Sequence, residues 1–246
     1  MNETINLLMN HRSIRKFKDE KLTESQIKTI VEAGQAASTS SYYQAYSIIG
    51  VTDLNIKQQL REVSGQPYVE ENGHLFVFCA DLNRLAQSQD ETTREQMKTN
   101  LESTEFFMMA TIDATLAAQN CAVATESLGL GMCYLGSLRN DVNRVNDILN
   151  LPEYVVPLFG MAVGVPEEKP ERKPRFDWTT VYHENQYDIT TAAEFHAFDK
   201  TVTDYYTHRA TNGRDDQWSE QIKRKLTNPM RQDVGPFIQD KSLNRH

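Results

Sequence analysis

Residues 104–128 read TEFFMMATIDATLAAQNCAVATESL, a run rich in alanine, methionine and phenylalanine. Its apolar side chains fall on most sides of a helical projection, which is the pattern of a helix surrounded by protein. Gly129 and Gly131 follow and predict the end of this helix. We therefore expect a long, buried helix near the middle of the chain.

Shorter apolar runs on both sides of this helix have the character of strands. They are residues 45–52 (AYSIIGVT), 75–80 (LFVFCA), 132–135 (MCYL) and 156–165 (VPLFGMAVGV). Capping and helical spacing predict helices over residues 4–10, from Thr23 onward, and over 54–63, 142–149, 192–206 and 216–226. Because the strands are separated by helices in an order too irregular for repeated βαβ units, we predict the α+β class.

The charge of the chain limits its partners. Its 246 residues carry 26 Lys and Arg against 34 Asp and Glu, a formal charge of −8. Such a chain has no general attraction to nucleic acid or to an anionic membrane, so a bound anion needs a local basic cluster. The N-terminus lacks the pattern of a signal peptide, and no apolar run approaches the length of a membrane span. We expect a cytoplasmic protein without nucleic-acid or membrane partners.

The cysteines and histidines do not indicate a metal site. Cys79, Cys121 and Cys133 match no zinc or CxxC spacing and lie in apolar stretches. They are predicted to be reduced, buried thiols. The six histidines are scattered without metal-ligand spacing, so we expect no metal.

The composition changes from Glu167 onward. Residues 167–176 read EEKPERKPRF, and their two prolines and mixed charge predict a loop. Polar and aromatic helices follow, with little core-forming sequence of their own. We predict a single domain over residues 1–246, in which residues 167–246 form a loop and helical extension that packs on the body or on a partner subunit.

Two clusters near the N-terminus have the chemistry of anion binding. Residues 11–16 (HRSIRK) concentrate arginine, lysine, histidine and serine, and the arginine fork suits phosphate. The alternative is a solvated helix end. Residues 38–41 (STSS) offer four hydroxyls to a phosphate or to the edge of a heteroaromatic ring. The alternative for them is an ordinary loop.

Further candidates lie towards the C-terminus. Residues 129–137 (GLGMCYLGS) have glycines around a strand-like segment, so that the backbone can lie close to something flat. Their spacing differs from GxGxxG, and neither a P-loop, HExxH nor GxSxG occurs, which argues against those sites. Lys173 and Arg175 form one basic pair. Arg209 and Arg214 flank a turn-prone Asn212-Gly213 and fit an anion site or a charged turn equally well.

Six motifs occur together in one order. They are HRSIR (11–15), AASTSS (36–41) with Gln44, ATESLGLG (124–131) followed by YLG (134–136), PLFG (157–160), KPR (173–175) and YHEN (182–185). This order resembles the oxygen-insensitive NADPH nitroreductase and flavin reductase family, in the branch with an extended C-terminal tail. The likeness runs from about residue 4 to residue 237.

The resemblance implies a nitroreductase-like α+β fold. Its central sheet is mostly antiparallel and flanked by helices, and FMN lies at the interface of a homodimer whose tails embrace the partner. The residues it implies for FMN binding are His11, Arg12, Ser13, Arg15, Thr39, Ser41, Gln66, Tyr134, Leu135, Gly136, Ser137, Lys173 and Arg175. Arg209 and Arg214 match positions that take the phosphates of NADPH. Thr39 and Ser137 depart from the family, which commonly has serine and glycine there.

The resemblance also implies an activity. We expect an FMN-dependent NADPH oxidoreductase that reduces nitroaromatics, quinones or free flavin by two-electron, ping-pong hydride transfer. No side chain is assigned a catalytic role, because the flavin carries the redox step. One alternative is a protein that stores or delivers FMN with little turnover. Another is a related flavin reductase that acts on disulfides or chromate, since fold alone does not determine the substrate.

Overall fold

The computed structural model describes residues 2–209 and 213–246. Asn212, which belongs to the turn predicted between Arg209 and Arg214, lies outside the described residues. The chain divides into two compact units. The first, called the body, contains the residues up to Pro170 together with Arg231–His246; the second, called the tail unit, is Glu171–Met230.

A four-stranded sheet forms the centre of the body. Its strands are β1 (Tyr46–Val51), β2 (His74–Asp81), β3 (Gly131–Leu135) and β4 (Val155–Gly164). The spatial order is β1-β2-β4-β3, and every neighbouring pair is antiparallel. The predictions of an α+β class and a mostly antiparallel sheet are confirmed.

Helices surround and extend this sheet. In the body they are α1 (Glu3–Met9), α2 (Glu24–Gln35), α3 (Leu54–Ser64), α4 (Asn83–Gln87), α5 (Glu91–Leu101), α6 (Thr104–Ser127), α7 (Val142–Leu149) and α11 (Val234–Asp240). In the tail unit they are α8 (Trp178–Val181), α9 (Ala192–Thr207) and α10 (Trp218–Leu226). None of the described helices combines the length and the apolar character that a membrane crossing requires.

Strand β2 is buried along its whole length because both faces of the sheet are covered. Val77 and Cys79 pack into a cluster that contains residues of α3 and α7. Phe76 and Phe78, which alternate with them, pack into the cluster that contains Ile30 of α2 and Cys121 of α6. Side chains of a strand point alternately to opposite faces, so a strand covered on both sides needs an uninterrupted apolar run.

Helix α6 runs through the body as predicted. The Ser103 hydroxyl caps its first turn by accepting the Phe106 amide, and Gly129 follows with a φ of 75°. One side of the helix differs from the expectation of complete burial. Met108, Ile112 and Leu116, spaced four residues apart, are 53%, 53% and 45% exposed in the single chain. They form one apolar stripe along α6.

Four of the described helices have no counterpart among the sequence predictions: α4, α5, α8 and α11. Helix α5 buries only Leu101, so it lacks the apolar periodicity on which the predictions depended. Its remaining signal is local, since Asp90 accepts the Thr93 amide as an N-cap. The chain returns to the body at Arg231, and both Phe237 of α11 and Leu243 are buried in its core.

The tail unit has a small aromatic core of its own. Phe176 stacks on Phe198 with ring centroids 3.9 Å apart and meets Trp218 edge-on at 5.0 Å. The buried carboxylate of Asp199 accepts both the Ser219 amide and the Ser219 hydroxyl, which links α9 to α10. Aromatic contacts and the buried carboxylate of Asp199 therefore help to organise this unit.

The three cysteines are free and buried, as predicted. Burial raises the pKa of Cys79 and of Cys121 to about 12, so both remain thiols near neutral pH. Among the described residues, no group of three His, Cys, Asp or Glu is placed to hold a metal ion.

Candidate active site

The basic segment, residues 11–16, lies along one end of the sheet. The Ile14 amide donates to the Met132 carbonyl at 2.9 Å, and Phe17 forms a bridge with Pro166. Ile14 is buried against Gly131, where a Cβ would lie 2.6 Å from the Ile14 side chain. Glycine is therefore required for this close approach. The structure brings the basic segment directly beside β3, so two of the predicted clusters meet.

Two residues of this segment have contrasting surroundings. His11 Nδ1 lies 2.8 Å from Glu126 Oε1, which belongs to the last turn of α6. Arg12 has its Nε buried, and none of the described residues hydrogen-bonds that atom. A buried donor without a partner is costly, so the Arg12 guanidinium is suited to receive an anionic group.

Ser13 and Arg15 both affect the pKa of the Cys133 thiol of β3. Burial raises the pKa of Cys133, and the neighbouring Arg15 and Ser13 oppose this rise. The Arg15 guanidinium also lies close to the Tyr68 side chain, and each affects the pKa of the other. Tyr68 belongs to a 3-10 turn that begins directly after Gln66, so Arg15 and the segment carrying Gln66 lie on the same side of the body.

The end of β3 presents backbone rather than charge. The Tyr134 hydroxyl donates to the Ala118 carbonyl of α6 at 2.8 Å, and burial raises the pKa of this tyrosine. The Leu135 side chain is buried, which leaves only its backbone for a ligand. Gly136 begins a 3-10 turn, and the Ser137 hydroxyl lies 2.6 Å from that of Ser64. The serine that replaces the family's frequent glycine is therefore held by α3.

The hydroxyl loop, residues 38–44, has an unusual backbone. Ser41, Tyr42 and Gln44 all have positive φ, at 46°, 63° and 52°. Thr39 is half-buried, whereas Ser41 is exposed. Non-glycine residues rarely adopt these angles, and such residues cluster at functional sites.

Sequence reasoning missed the residue that holds this loop. Asp113 of α6 is fully buried, and its two carboxylate oxygens accept the amides of Ser40 at 2.9 Å and Ala45 at 3.1 Å. Its signal was a lone acidic residue in the middle of the apolar run of residues 104–128. Buried carboxylates need hydrogen-bond partners, which makes such a residue informative.

The basic pair Lys173 and Arg175 belongs to the tail unit. Both side chains are exposed, and the Arg175 guanidinium donates to the backbone carbonyls of Lys173 and Pro174. This pair therefore offers cationic groups on an irregular segment. Its hydrogen bonds are local, and they leave part of the arginine fork open to an anion.

Arg209 and Arg214 share an aromatic neighbour in the tail unit. Arg214 lies over the Tyr206 ring at 4.1 Å, and Arg209 lies 6.0 Å from the same ring. Each also faces an acidic residue: Arg214 Nε donates to Asp216 at 2.9 Å, and Arg209 Nε lies 3.5 Å from Glu171. The two arginines are thus close together, and each already has a carboxylate partner.

The donor set of the body suits FMN. A phosphate of nearly two negative charges is matched by the arginines of the basic segment, one of which has a buried Nε without a partner among the described residues. The segment from Tyr134 to Ser137 supplies backbone against which a flat ring can lie.

Comparisons with known proteins cover nearly the whole chain. The family model described as "Nitroreductase family" matches residues 8–165, and "Nitroreductase family, C-terminal domain" matches residues 173–246. The chain is 48% identical to "FMN reductase (NADPH)" of Bacillus subtilis, covering 100% of both chains. It is 51% identical to "NADPH-dependent oxidoreductase" of Staphylococcus saprophyticus, covering 93% of each.

Solved structures agree with the family models. NfrA1 nitroreductase from B. subtilis matches with a TM-score of 0.95 at 47% identity, covering 99% of this chain and 100% of that one. NADPH:FMN oxidoreductase from Vibrio harveyi, complexed with NAD+, matches with a TM-score of 0.90 at 37% identity, covering 100% of both. The order of motifs, the antiparallel sheet and these full-length similarities lead to one conclusion: the chain belongs to the nitroreductase family.

Proposed function

We propose that this protein is an NADPH-dependent flavin oxidoreductase that reduces nitroaromatics, quinones or free flavin in a two-electron, ping-pong reaction. Its cofactor is FMN. The observation that carries the proposal is the basic segment lying against β3 with Arg12 Nε buried and unpaired among the described residues. The similarity to a Bacillus enzyme named as an NADPH-using FMN reductase supports the choice of electron donor.

The residues of the body bind and orient the cofactor in this proposal. FMN, when bound, supplies the hydride chemistry, and no protein nucleophile is required. Arg12, Ser13 and Arg15 hold the phosphate or the ring edge, and Gln66 reaches the ring. Leu135 and its neighbours Tyr134, Gly136 and Ser137 supply backbone along the flavin. Glu126 fixes the orientation of His11 through their 2.8 Å contact.

The family resemblance supports four further residues, which belong to the tail unit. Lys173 and Arg175 bind the cofactor, and Arg209 and Arg214 take the phosphates of NADPH. The stacking of Arg209 and Arg214 on tyrosine rings restricts their side chains, so less entropy is lost when an anion binds. Glu171 and Asp216 are the present partners of these arginines. When the nucleotide binds, its phosphates would either replace the two carboxylates or share the arginines with them.

The assembly we propose is a homodimer whose extensions cover the partner subunit. The stripe formed by Met108, Ile112 and Leu116 supports this, because an exposed row of large apolar side chains is typical of an interface. Asp113 and Glu126, which hold the hydroxyl loop and the basic segment, lie 13 residues apart on α6, about 20 Å along the axis. Two groups so far apart on one helix can belong to two different sites, which suits a dimer in which both subunits contribute to each site.

The test is spectroscopic. The purified protein is expected to be yellow, and NADPH added without oxygen should bleach it. Turnover with a panel of nitroaromatic, quinone, flavin, disulfide and chromate acceptors would then identify the acceptor class. A folded, colourless protein that also fails to bind added FMN contradicts the proposal. Bleaching with turnover far below about 1 per second would instead favour FMN storage.

A further inference from the structure

The conformation of the hydroxyl loop is not one that its sequence prefers. Three of four consecutive residues, Ser41, Tyr42 and Gln44, have φ between 46° and 63°, and none of them is glycine. L-residues pay a steric cost in this region, so a free peptide of this sequence would leave it. Something outside the loop must hold it.

The loop's internal hydrogen bonds are few. The Tyr42 and Tyr43 amides donate to Thr39 and Ser40, which closes one turn. Among the described side chains, Arg84 donates to the Gln44 carbonyl, but at 3.4 Å. At the C-terminal end of the loop, the Tyr46 amide donates to the Gln44 carbonyl at 2.8 Å and the Asp81 amide to the Ala45 carbonyl at 3.0 Å. These bonds leave the amides of Ser40 and Ala45 to find an acceptor outside the loop.

Asp113 meets this requirement. Its carboxylate accepts the Ser40 amide at one end of the strained segment and the Ala45 amide at the other. The side chain is fully buried on α6, which packs against α2 and the sheet. Because a carboxylate is an acceptor at both oxygens, it can hold two amides at once. An asparagine of the same shape can accept at only one.

We infer that Asp113 is a positioning residue that holds the hydroxyl loop in its flavin-binding conformation before the cofactor arrives. The inference rests on the proposed function and on the family resemblance, which implies that Thr39 and Ser41 bind FMN. Asp113 itself does not touch the cofactor. It acts through the backbone of Ser40 and Ala45, and it thereby presents the two hydroxyls on a preformed loop.

The first experiment compares Asp113→Asn with the wild type in protein freed of FMN. We expect FMN to bind about tenfold more weakly to the variant, measured by quenching of FMN fluorescence, because one charge-assisted hydrogen bond is lost. Asp199→Asn is the matched control, since Asp199 is also a buried carboxylate that accepts two hydrogen bonds. Both of those hydrogen bonds come from Ser219, which is not proposed to bind FMN, so the variant should leave FMN affinity within about twofold of wild type.

A rescue distinguishes positioning from general stability. Adding Tyr42→Gly to Asp113→Asn should recover about threefold in FMN affinity, because glycine adopts the left-handed region without the steric cost. Tyr43→Gly is its control, because Tyr43 has a φ of −69° and gains nothing from glycine. Equal affinities for the two double variants would overturn the inference.

Amide exchange in the wild type covers the case in which Asp113→Asn does not fold. The Ser40 and Ala45 amides should be protected from exchange both with and without FMN, because the acceptor belongs to the protein. Protection that appears only with FMN would overturn the inference. A wild-type protein that binds no FMN would contradict the proposed function instead, so the two failures are distinguishable.

Discussion

At the residue scale, the hydroxyl loop shows how buried charge offsets backbone strain. Each left-handed non-glycine residue costs on the order of 1–3 kcal/mol, and the loop has three. Each hydrogen bond to a charged acceptor contributes about 1.5–3 kcal/mol, and Asp113 accepts two. The total cost of the three strained residues and the total contribution of the two hydrogen bonds are therefore of similar size. The loop is therefore held by contacts with α6 rather than by its own sequence.

His74 provides a test of stability against pH. Burial, with a smaller effect of Lys57, lowers the pKa of His74 to about 4, whereas it titrates near 6.5 when unfolded. Between these values the unfolded chain binds the proton more readily, so stability falls as the pH is lowered through this range. The full loss in the free energy of unfolding is about 3 kcal/mol.

The experiment compares wild type with His74→Gln. Urea denaturation at pH 7, 6, 5 and 4.5 should show a steeper loss of stability for the wild type than for the variant. The slopes are compared because the substitution itself changes stability at every pH. Parallel curves would contradict the assignment of this pH dependence to His74.

Arg209 provides a test of nucleotide preference. Arg209→Ala should raise KM for NADPH more than KM for NADH, because only NADPH carries a 2′-phosphate. The lost charge-assisted hydrogen bond corresponds to roughly 1.5–3 kcal/mol. Lys225→Ala is the control, since it removes one positive charge from the same unit. Equal effects on the two nucleotides would contradict the role of Arg209.

At the scale of elements, the close packing of α2 on α6 depends on small residues. Gly34 of α2 faces Cys121 of α6, and a Cβ at Gly34 would lie 2.5 Å from the Cys121 sulfur. Alanines at positions 110, 114, 117 and 118 are also buried on α6. Because α6 contacts the hydroxyl loop, Tyr134 and His11 through residues along its length, its position affects these three parts of the candidate site.

Gly34→Ala tests this packing. Although alanine favours helix formation, the clash with Cys121 should lower the free energy of unfolding by about 1–3 kcal/mol. Adding Cys121→Ala should restore part of the loss by removing the sulfur. Gly235→Ala in α11 is the control, because a Cβ at Gly235 would have no described atom within 4 Å and the change should be neutral or stabilising. Additive effects of the first two changes would exclude a direct clash.

At the scale of the whole molecule, α6 has two different sides. Asp113 and the alanines face the protein, whereas Met108, Ile112 and Leu116 face outward. A helix apolar on most sides is expected to be covered by protein. In the single chain the outward stripe is not covered, which is why a second subunit is the partner we propose.

Ile112→Glu tests the assembly. A charge in the centre of the stripe should shift the protein from dimer to monomer in sedimentation experiments, because burying an unpaired carboxylate is costly. FMN affinity should fall in parallel if the site is completed across two subunits. Leu54→Glu, at another exposed apolar residue of the body, is the control. A dimeric Ile112→Glu protein would contradict this interface.

Local pattern determined most of the elements and the family. The capping box of Thr23 and Gln26, the run in β2 and the glycines after α6 are short-range signals, and the structure has each of them. Through the family resemblance, the motifs also indicated most of the residues proposed for FMN, although Gln66 and Ser137 lie outside them. Helix α5 was missed because its sequence has almost no buried face to create a period.

Only the tertiary structure decided which distant residues act together. Glu126 meets His11 across 115 positions, and Asp113 reaches the hydroxyl loop across 73. Neither pairing can be recognised from local spacing in the sequence, because each arises only when α6 packs against the rest of the body. The sequence determined which chemistry is present and in which elements, and the packing of one helix determined which of those groups are held in place.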